Sequence, residues 1–285
     1  MRSLRVTTPA KINLFLRVLA RRPDGYHDIE TLFQAIDLYD ELVIEESAEL
    51  SSLHVPGRPE LESEENLVMR ALRWLEKKTG QALPVTIQLD KRIPVAAGLG
   101  GGSSDAAATL VGIRSLFGLD VEDAELRQGA VELGADVPFF LMGGSAVGEG
   151  VGERLTPVNL PMNYGVVLVC PDFPVSTRVI FQEFSKILTE EGREGTLWRS
   201  LQQAARVEDL LHNDLQSVTE GRHPELADIR RSMENAGFKA ILMSGSGPTL
   251  FGLAERNDVD SIKQRLPPKL KTVAARPVRR GIVLH

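Results

Sequence analysis

"AAGLGGGSSDAAATL", residues 96–110, decides how the chain is read. Gly98 stands two residues ahead of three consecutive glycines, 100–102, which run through Ser103, Ser104 and Asp105 into an alanine-rich helical pattern. Glycines permit positive φ and leave backbone amides uncovered, so successive N–H groups can ring an anion. Ser103, Ser104 or Asp105 can cap the helix, whose first free amides carry about half a positive charge. Phosphate is favoured there on both counts. A tight turn before a capped helix is the simpler reading, but it needs far fewer glycines. No lysine lies in the loop, so it is not a Walker A sequence. Ser103 replaces the third glycine of the dinucleotide fingerprint, which therefore matches only in part.

Upstream, Ile12, Leu14, Leu16 and Val18 alternate with Lys11, Asn13 and Phe15, the pattern of a strand with two distinct faces. "RRPDGYH" (21–27) supplies a Pro-Asp-Gly turn, and "DELVIEE" reads as another short strand. From Asn66 the spacing of Val68, Ala71, Leu72 and Leu75 predicts a helix stopped by Gly80. "PVTIQLDKRIP" predicts the strand before the glycine loop, and Ala106, Leu110, Ile113 and Phe117 form the apolar stripe of the helix after it. A helix over roughly 122–133 and a hairpin in "FFLMGGSAVGEGVGERL" follow.

The Pro-rich, aperiodic stretch 155–163 marks a domain boundary. Beyond it come a buried strand in "YGVVLVC" and two or three helices, the clearest carrying Leu226, Ile229 and Met233 and ending at Gly237. "KAILMSGSGPTLFGLA" reads as two strands around a second glycine-rich loop, with a helix near 257–266 and a last strand near 270–284.

With 285 residues the chain has room for two moderate domains. A net charge of -6 gives no case for nucleic acid or a membrane surface as partner. The single cysteine, Cys170, excludes a disulfide within the monomer and reads as a core residue of a cytoplasmic protein. No signal peptide or membrane-spanning run is visible, and the five histidines show no ligand spacing.

Taken with "PAKINLFL" (9–16) and "SGSGPTLF" (244–251), "PVAAGLGGGSSDAA" (94–107) resembles the three signature motifs of the GHMP kinases. Within that superfamily, residues 9–38 and "GADVPFFLMGGSAVGEGVGE" (134–153) are similar to the branch whose alcohol acceptor is a diphosphocytidyl methylerythritol. The likeness runs from residue 9 to about 253.

The resemblance implies an α+β fold of two domains with the active site in the cleft between them. Residues 1–157 would form a ribosomal S5-like ATP-binding domain containing a left-handed crossover, against the usual rule, and 158–285 a ferredoxin-like domain. It also implies magnesium-dependent transfer of the ATP γ-phosphate to the acceptor's 2-hydroxyl, a step of the non-mevalonate isoprenoid pathway.

Carried onto this sequence, Pro94, Val95, Ala96, Ala97, Gly98, Leu99, Gly100, Gly101, Gly102, Ser103 and Ser104 hold the nucleotide, Ser104 also reaching magnesium. Asn66 faces the adenine. Asp136 deprotonates or orients the hydroxyl, with Lys11 as its partner, since a nearby cation favours a carboxylate's charged form. Asn13 meets the methylerythritol end, Tyr26 stacks on the cytosine, His27 reads its edge and Phe181 forms a second wall. Ser244, Gly245, Ser246 and Gly247 project from the second loop into the cleft.

Residue patterns alone leave plainer alternatives open. Asp136 and Asn66 suit helix starts, Lys11 a solvated strand face, Phe181 a helix core, and the second loop a hairpin turn. "HNDL" (212–215) has no evident chemical role. Rival functions are a mevalonate- or homoserine-type kinase and a non-catalytic ligand-binding module. "PDGYH" argues against the first, and the joint presence of Lys11, Asp136 and the full loop against the second. Monomer and homodimer are both compatible with the sequence.

Overall fold

The computed structural model describes residues 2–188 and 193–285. The first half of the chain runs β1 (Ser3–Arg21), β2 (His27–Glu46), β3 (Ser52–His54), α1 (Leu67–Thr79), β4 (Val85–Asp90), α2 (Gly101–Phe117), α3 (Asp123–Leu133), α4 (Val137–Met142), β5 (Ser145–Glu149) and β6 (Arg154–Pro157). Then come β7 (Tyr164–Val169), α5 (Thr177–Phe184), α6 (Leu197–Gln203), β8 (His212–Asn213), α7 (Gln216–Arg222) and α8 (Glu225–Ala236). β9 (Ala240–Met243), β10 (Leu250–Glu255), α9 (Val259–Lys263), β11 (Thr272–Ala275) and β12 (Val283–Leu284) complete it.

Among the described residues the strands make two sheets. The larger has the order β12-β1-β2-β4-β3, with β5 and β6 continuing from β2 and β8 beside β1. β1 and β2 pair antiparallel along nearly their whole length, with register shifts at Pro9/Ala10, Asn13/Phe15 and Val18/Ala20. Such bulges bend a strand and re-aim its side chains. α1 and α2 pack together over this sheet around a core that includes Phe33, Leu72, Ile87, Leu110 and Phe139. The smaller sheet runs β11-β7-β10-β9, with every neighbouring pair antiparallel. In order of appearance that is fourth, first, third, second, the ferredoxin-like arrangement.

Both helix boundaries read from the region 66–80 hold: Asn66 accepts from the Val68 amide at 3.0 Å, and Gly80 closes α1 in the left-handed region. Among the described residues four helices, α5 to α8, stand where two or three were expected, and three further expectations change. β1 and β2 are far longer than the short strands expected, because each strand supplies the other's ladder. "FFLM" is helical rather than part of the hairpin. Pro138 sits in the first turn of α4, where a missing N–H costs nothing, and Phe139 and Phe140 are fully buried. The hairpin itself is β5–β6.

The C-terminal stretch is also not one strand. β11 lies in the smaller sheet, whereas Val278 donates to the Ala35 carbonyl at 2.9 Å and β12 pairs with β1 in the larger one. β8 joins β1 as well. The sheets therefore do not divide cleanly at 157/158: later chain returns to cover the edge of β1, which would otherwise present unpaired backbone groups.

Candidate active site

A cavity of about 940 Å³ opens where the glycine loop, β1, the turn at 22–27, α5 and the second glycine loop come together. Its glycine-loop wall comprises Pro94 to Gly98 and Gly100 to Ser103. Gly100 is the N-cap of α2, at φ 71°, and no side chain caps the helix. The helix thus starts earlier than the serines and aspartate expected to cap it, and its first amides are left to whatever enters the cavity.

Glycine is required here by space as well as by φ. A Cβ on Gly100 would come within 2.7 Å of the Phe140 ring, and one on Gly98, at φ 77°, within 2.1 Å of the Ser244 carbonyl oxygen. Ala96 takes a positive φ of 52° without being glycine, a strained conformation of the kind that collects at functional sites.

Two residues of the expected loop set do not face the cavity. Leu99 is buried in the core, and contributes only its carbonyl, which accepts from the Lys11 amide at 3.0 Å. Ser104 is fully buried, its hydroxyl donating to the Pro9 carbonyl at 2.6 Å and paired with Thr8. The reading of Ser104 as a phosphate or magnesium ligand is therefore corrected. With α2 beginning at Gly101, position 104 falls on the inner face, and Ser103 carries the loop's cavity-facing hydroxyl.

Lys11 and Asp136 meet in this cavity, Nζ to Oδ2, at 3.4 Å. The solvated-face alternative for Lys11 fails, since the residue is 4% exposed. Asp136 does occupy the N-cap position of α4, yet its side chain makes no capping bond and turns to Lys11 instead.

A chain of hydrogen bonds fixes the lysine. Its ammonium donates to Asn13 Oδ1 at 2.6 Å, Asn13 Nδ2 donates to Thr31 Oγ1 at 2.7 Å, and Thr31 donates to the Phe15 carbonyl at 2.8 Å. Thr31's proton is thus spent on a backbone acceptor, so its oxygen orients the Asn13 amide with the carbonyl toward Lys11. The bulge beyond Asn13 bends β1 at this point.

The "DGYH" turn forms another wall. Gly25 takes φ 87°, Asp24 accepts from the Tyr26 amide at 3.0 Å, and Tyr26 is left 63% exposed at the cavity. His27 is buried, and burial first and Arg21 second hold its pKa below the usual histidine value. Its ring lies 5.1 Å from that of Phe181, centroid to centroid, at a 34° tilt. Phe181 is half-buried: it packs on the core from α5 and also lines the cavity. Asn66 likewise combines roles, capping α1 and donating to the Leu61 carbonyl at 2.9 Å while lining the cavity.

Of the second loop, Gly245 and Ser246 line the cavity, and Ser244 and Gly247 do not. Ser244 instead joins the two loops, donating to the Gly98 carbonyl at 2.9 Å and accepting from the Asn13 amide at 3.3 Å. Gly247, at φ 84°, sits where a Cβ would meet Met243 Sδ at 2.5 Å. "HNDL" acquires a role here. Asn213 donates to the Met243 and Gly245 carbonyls at 2.7 and 2.8 Å, and Asp214 accepts from the Val18 amide at 2.8 Å, stapling the loop to β1.

Sequence reasoning missed Thr31 and Asn213, and also a buried charge cluster behind the loop. Lys91 binds both Asp40 and Asp105, the latter at 2.8 Å, close against Gly101. Burial pushes the Asp105 carboxyl up to about 8 despite Lys91, and its Oδ1 has no partner among the described residues. The "DKRIP" stretch showed only a strand end. Nothing local marked its lysine as buried between two acids. Among the described residues no group of three or more His, Cys, Asp or Glu stands ready to hold a metal ion.

A family model described as "GHMP kinases N terminal domain" matches residues 66–144, and one described as "GHMP kinases C terminal" matches 197–271. The chain is 45% identical over 258 residues to a 4-diphosphocytidyl-2-C-methyl-D-erythritol kinase of Syntrophus aciditrophicus, covering 90% of this chain and 91% of that one. It is 43% identical to the protein of the same name from Geobacter sulfurreducens, over 90% and 92% of the two chains.

A crystal structure of 4-(cytidine 5'-diphospho)-2C-methyl-D-erythritol kinase superposes with a TM-score of 0.77 at 36% identity, covering 96% of this chain and 98% of the other. Homoserine kinase from Cytophaga hutchinsonii shares the fold, with a TM-score of 0.75 at 18% identity over 100% and 98% of the chains. Sequence and fold agree: the chain belongs to the 4-diphosphocytidyl-2-C-methyl-D-erythritol kinases of the GHMP kinase family.

Proposed function

We propose that the protein transfers the γ-phosphoryl group of ATP to the 2-hydroxyl of 4-diphosphocytidyl-2-C-methyl-D-erythritol. The observation that carries this reading is the Lys11–Asp136 pair, 3.4 Å apart in a cavity that also holds the uncapped start of α2 and the Tyr26–His27–Phe181 group. Phosphoryl transfer leaves little covalent chemistry to the protein, so positioning and charge stabilisation dominate.

The amides at Gly101 to Ser103 receive the nucleotide phosphates, favoured by both hydrogen bonding and the helix dipole. Asp136 accepts a hydrogen bond from the 2-hydroxyl and takes its proton as the new P–O bond forms and the bond to the β-phosphate oxygen breaks. Lys11, held by Asn13 and Thr31, fixes the Asp136 carboxyl in position and offsets negative charge on the group in flight. At the recognition end the base is gripped between Tyr26 and Phe181, with His27 at its edge.

Magnesium fits this donor set as an ion carried largely by phosphate and water. Ser103 is the cavity-lining loop side chain that would help hold it, and the ion would neutralise negative charge on the phosphates.

Incubation with magnesium, ATP and one of three acceptors tests the assignment: the diphosphocytidyl methylerythritol, mevalonate or homoserine. ADP release is expected with the first alone. Release with mevalonate or homoserine instead would move the assignment within the family. No release with any acceptor would favour a binding module.

A further inference from the structure

We infer that Ser185 fixes the tautomer of His27 and thereby makes the cleft choose an amino-bearing pyrimidine over a keto-bearing one. The inference deepens the cytidyl reading of the substrate and rests on it. Ser185 follows the last turn of α5, four residues after Phe181, and lines the same cavity. Its hydroxyl donates to the Phe181 carbonyl at 2.9 Å, the common back-bond of a helical serine.

A hydroxyl has one proton, and here that proton is spent. Toward His27 Nε2, 2.5 Å away, the Ser185 oxygen therefore offers a lone pair, and Nε2 must be the nitrogen that carries hydrogen. In a neutral imidazole the other nitrogen is then an acceptor. Neutrality is supported by the burial of the ring beside Arg21, which lowers its pKa. Nδ1 makes no hydrogen bond to any described residue, while His27 itself lines the cavity.

An acceptor facing a pyrimidine edge selects for the group that donates. Cytosine presents an exocyclic amine at position 4, whereas a keto pyrimidine presents an oxygen there. Acceptor against acceptor leaves both unpaired, the circumstance in which polar sites reject an analogue most strongly. The opposite tautomer would reverse the preference. One helix turn thus supplies both the aromatic wall, Phe181, and the hydroxyl that decides which proton the facing imidazole holds. Ser185 acts through His27 and is a positioning residue.

Nitrogen chemical shifts of the full-length protein, labelled with 15N-histidine and free of substrate, read the tautomer directly. The wild type is expected to show His27 with Nε2 protonated and Nδ1 bare, and Ser185→Ala a mixture of the two forms. In kinetics, the ratio of kcat/KM for the cytidyl substrate to that for its uridyl analogue should fall about 3–10-fold in Ser185→Ala, the scale of one hydrogen bond. Ser185→Thr, which keeps the hydroxyl, should restore it.

A protonated Nδ1 in the wild type would overturn the inference. So would a folded Ser185→Ala protein that discriminates between the two bases as well as the wild type does. Because the shifts need no substrate, a failure of the kinase reading shows itself separately, as absence of ADP release.

Discussion

Lys11 and Tyr26 line the same cavity and are held in opposite ways. Lys11 lies within the longest strand pair of the molecule, 4% exposed, its ammonium bound to Asn13 and facing Asp136, with Thr31 behind. Tyr26 stands on a turn, 63% exposed, and among the described residues its hydrogen bonds are backbone ones, its amide donating to Asp24 and its carbonyl accepting from the Arg22 amide. Groups that stabilise a transition state gain most when no reorganisation is needed at the moment of reaction. A stacking platform can be completed by the base that lands on it. Under the proposed function, the cleft has a chemical end fixed by folding and a recognition end finished by the ligand.

The comparison breaks most visibly at Asp136. Asp136→Asn keeps shape and size but cannot take the proton, and kcat is expected to fall about 10²–10⁴-fold, the range for a lost general base. Calorimetric titration should show nucleotide binding retained in this variant. Tyr26→Ala should act on the other end. Loss of one stacked base, about 1–3 kcal/mol, corresponds to a rise of about 5–150-fold in KM for the cytidyl substrate, with a far smaller change in KM for ATP. Equal rises for both substrates would argue against the stacking role.

A subtler cut separates geometry from charge. Thr31→Val removes the hydroxyl that orients Asn13, and kcat should drop about 3–10-fold while the melting temperature stays near that of the wild type. Unchanged turnover in that variant would show that Asn13 holds Lys11 without help.

Much of this was legible in the sequence, and for identifiable reasons. The glycine run, Lys11, Asp136 and Tyr26-His27 lie in short motifs whose chemistry depends on residue type and local spacing. The ferredoxin-like half followed from a resemblance and is met by its strand order.

What escaped depends on partners distant in sequence. Thr31 matters because β2 folds back on β1, Asn213 because β8 pairs with β1 beside the second loop, and Ser185 because α5 lies over the "DGYH" turn. No local pattern announces such meetings. Ser104 was misread for a different reason. Its face on α2 depends on the residue at which the helix starts, and the early start at Gly101 turned a supposed ligand into a buried anchor for Thr8 and Pro9. Which sheet β8 and β12 would join was not legible, because strands of a few residues carry too little pattern to say.

The division of labour within the cleft is tested most directly by measuring kcat and KM for the cytidyl substrate on Asp136→Asn and Tyr26→Ala side by side. The expected result is a loss that falls on kcat in the first variant and on KM in the second. A kcat in Asp136→Asn close to that of the wild type, or a Tyr26→Ala loss confined to kcat, would contradict it.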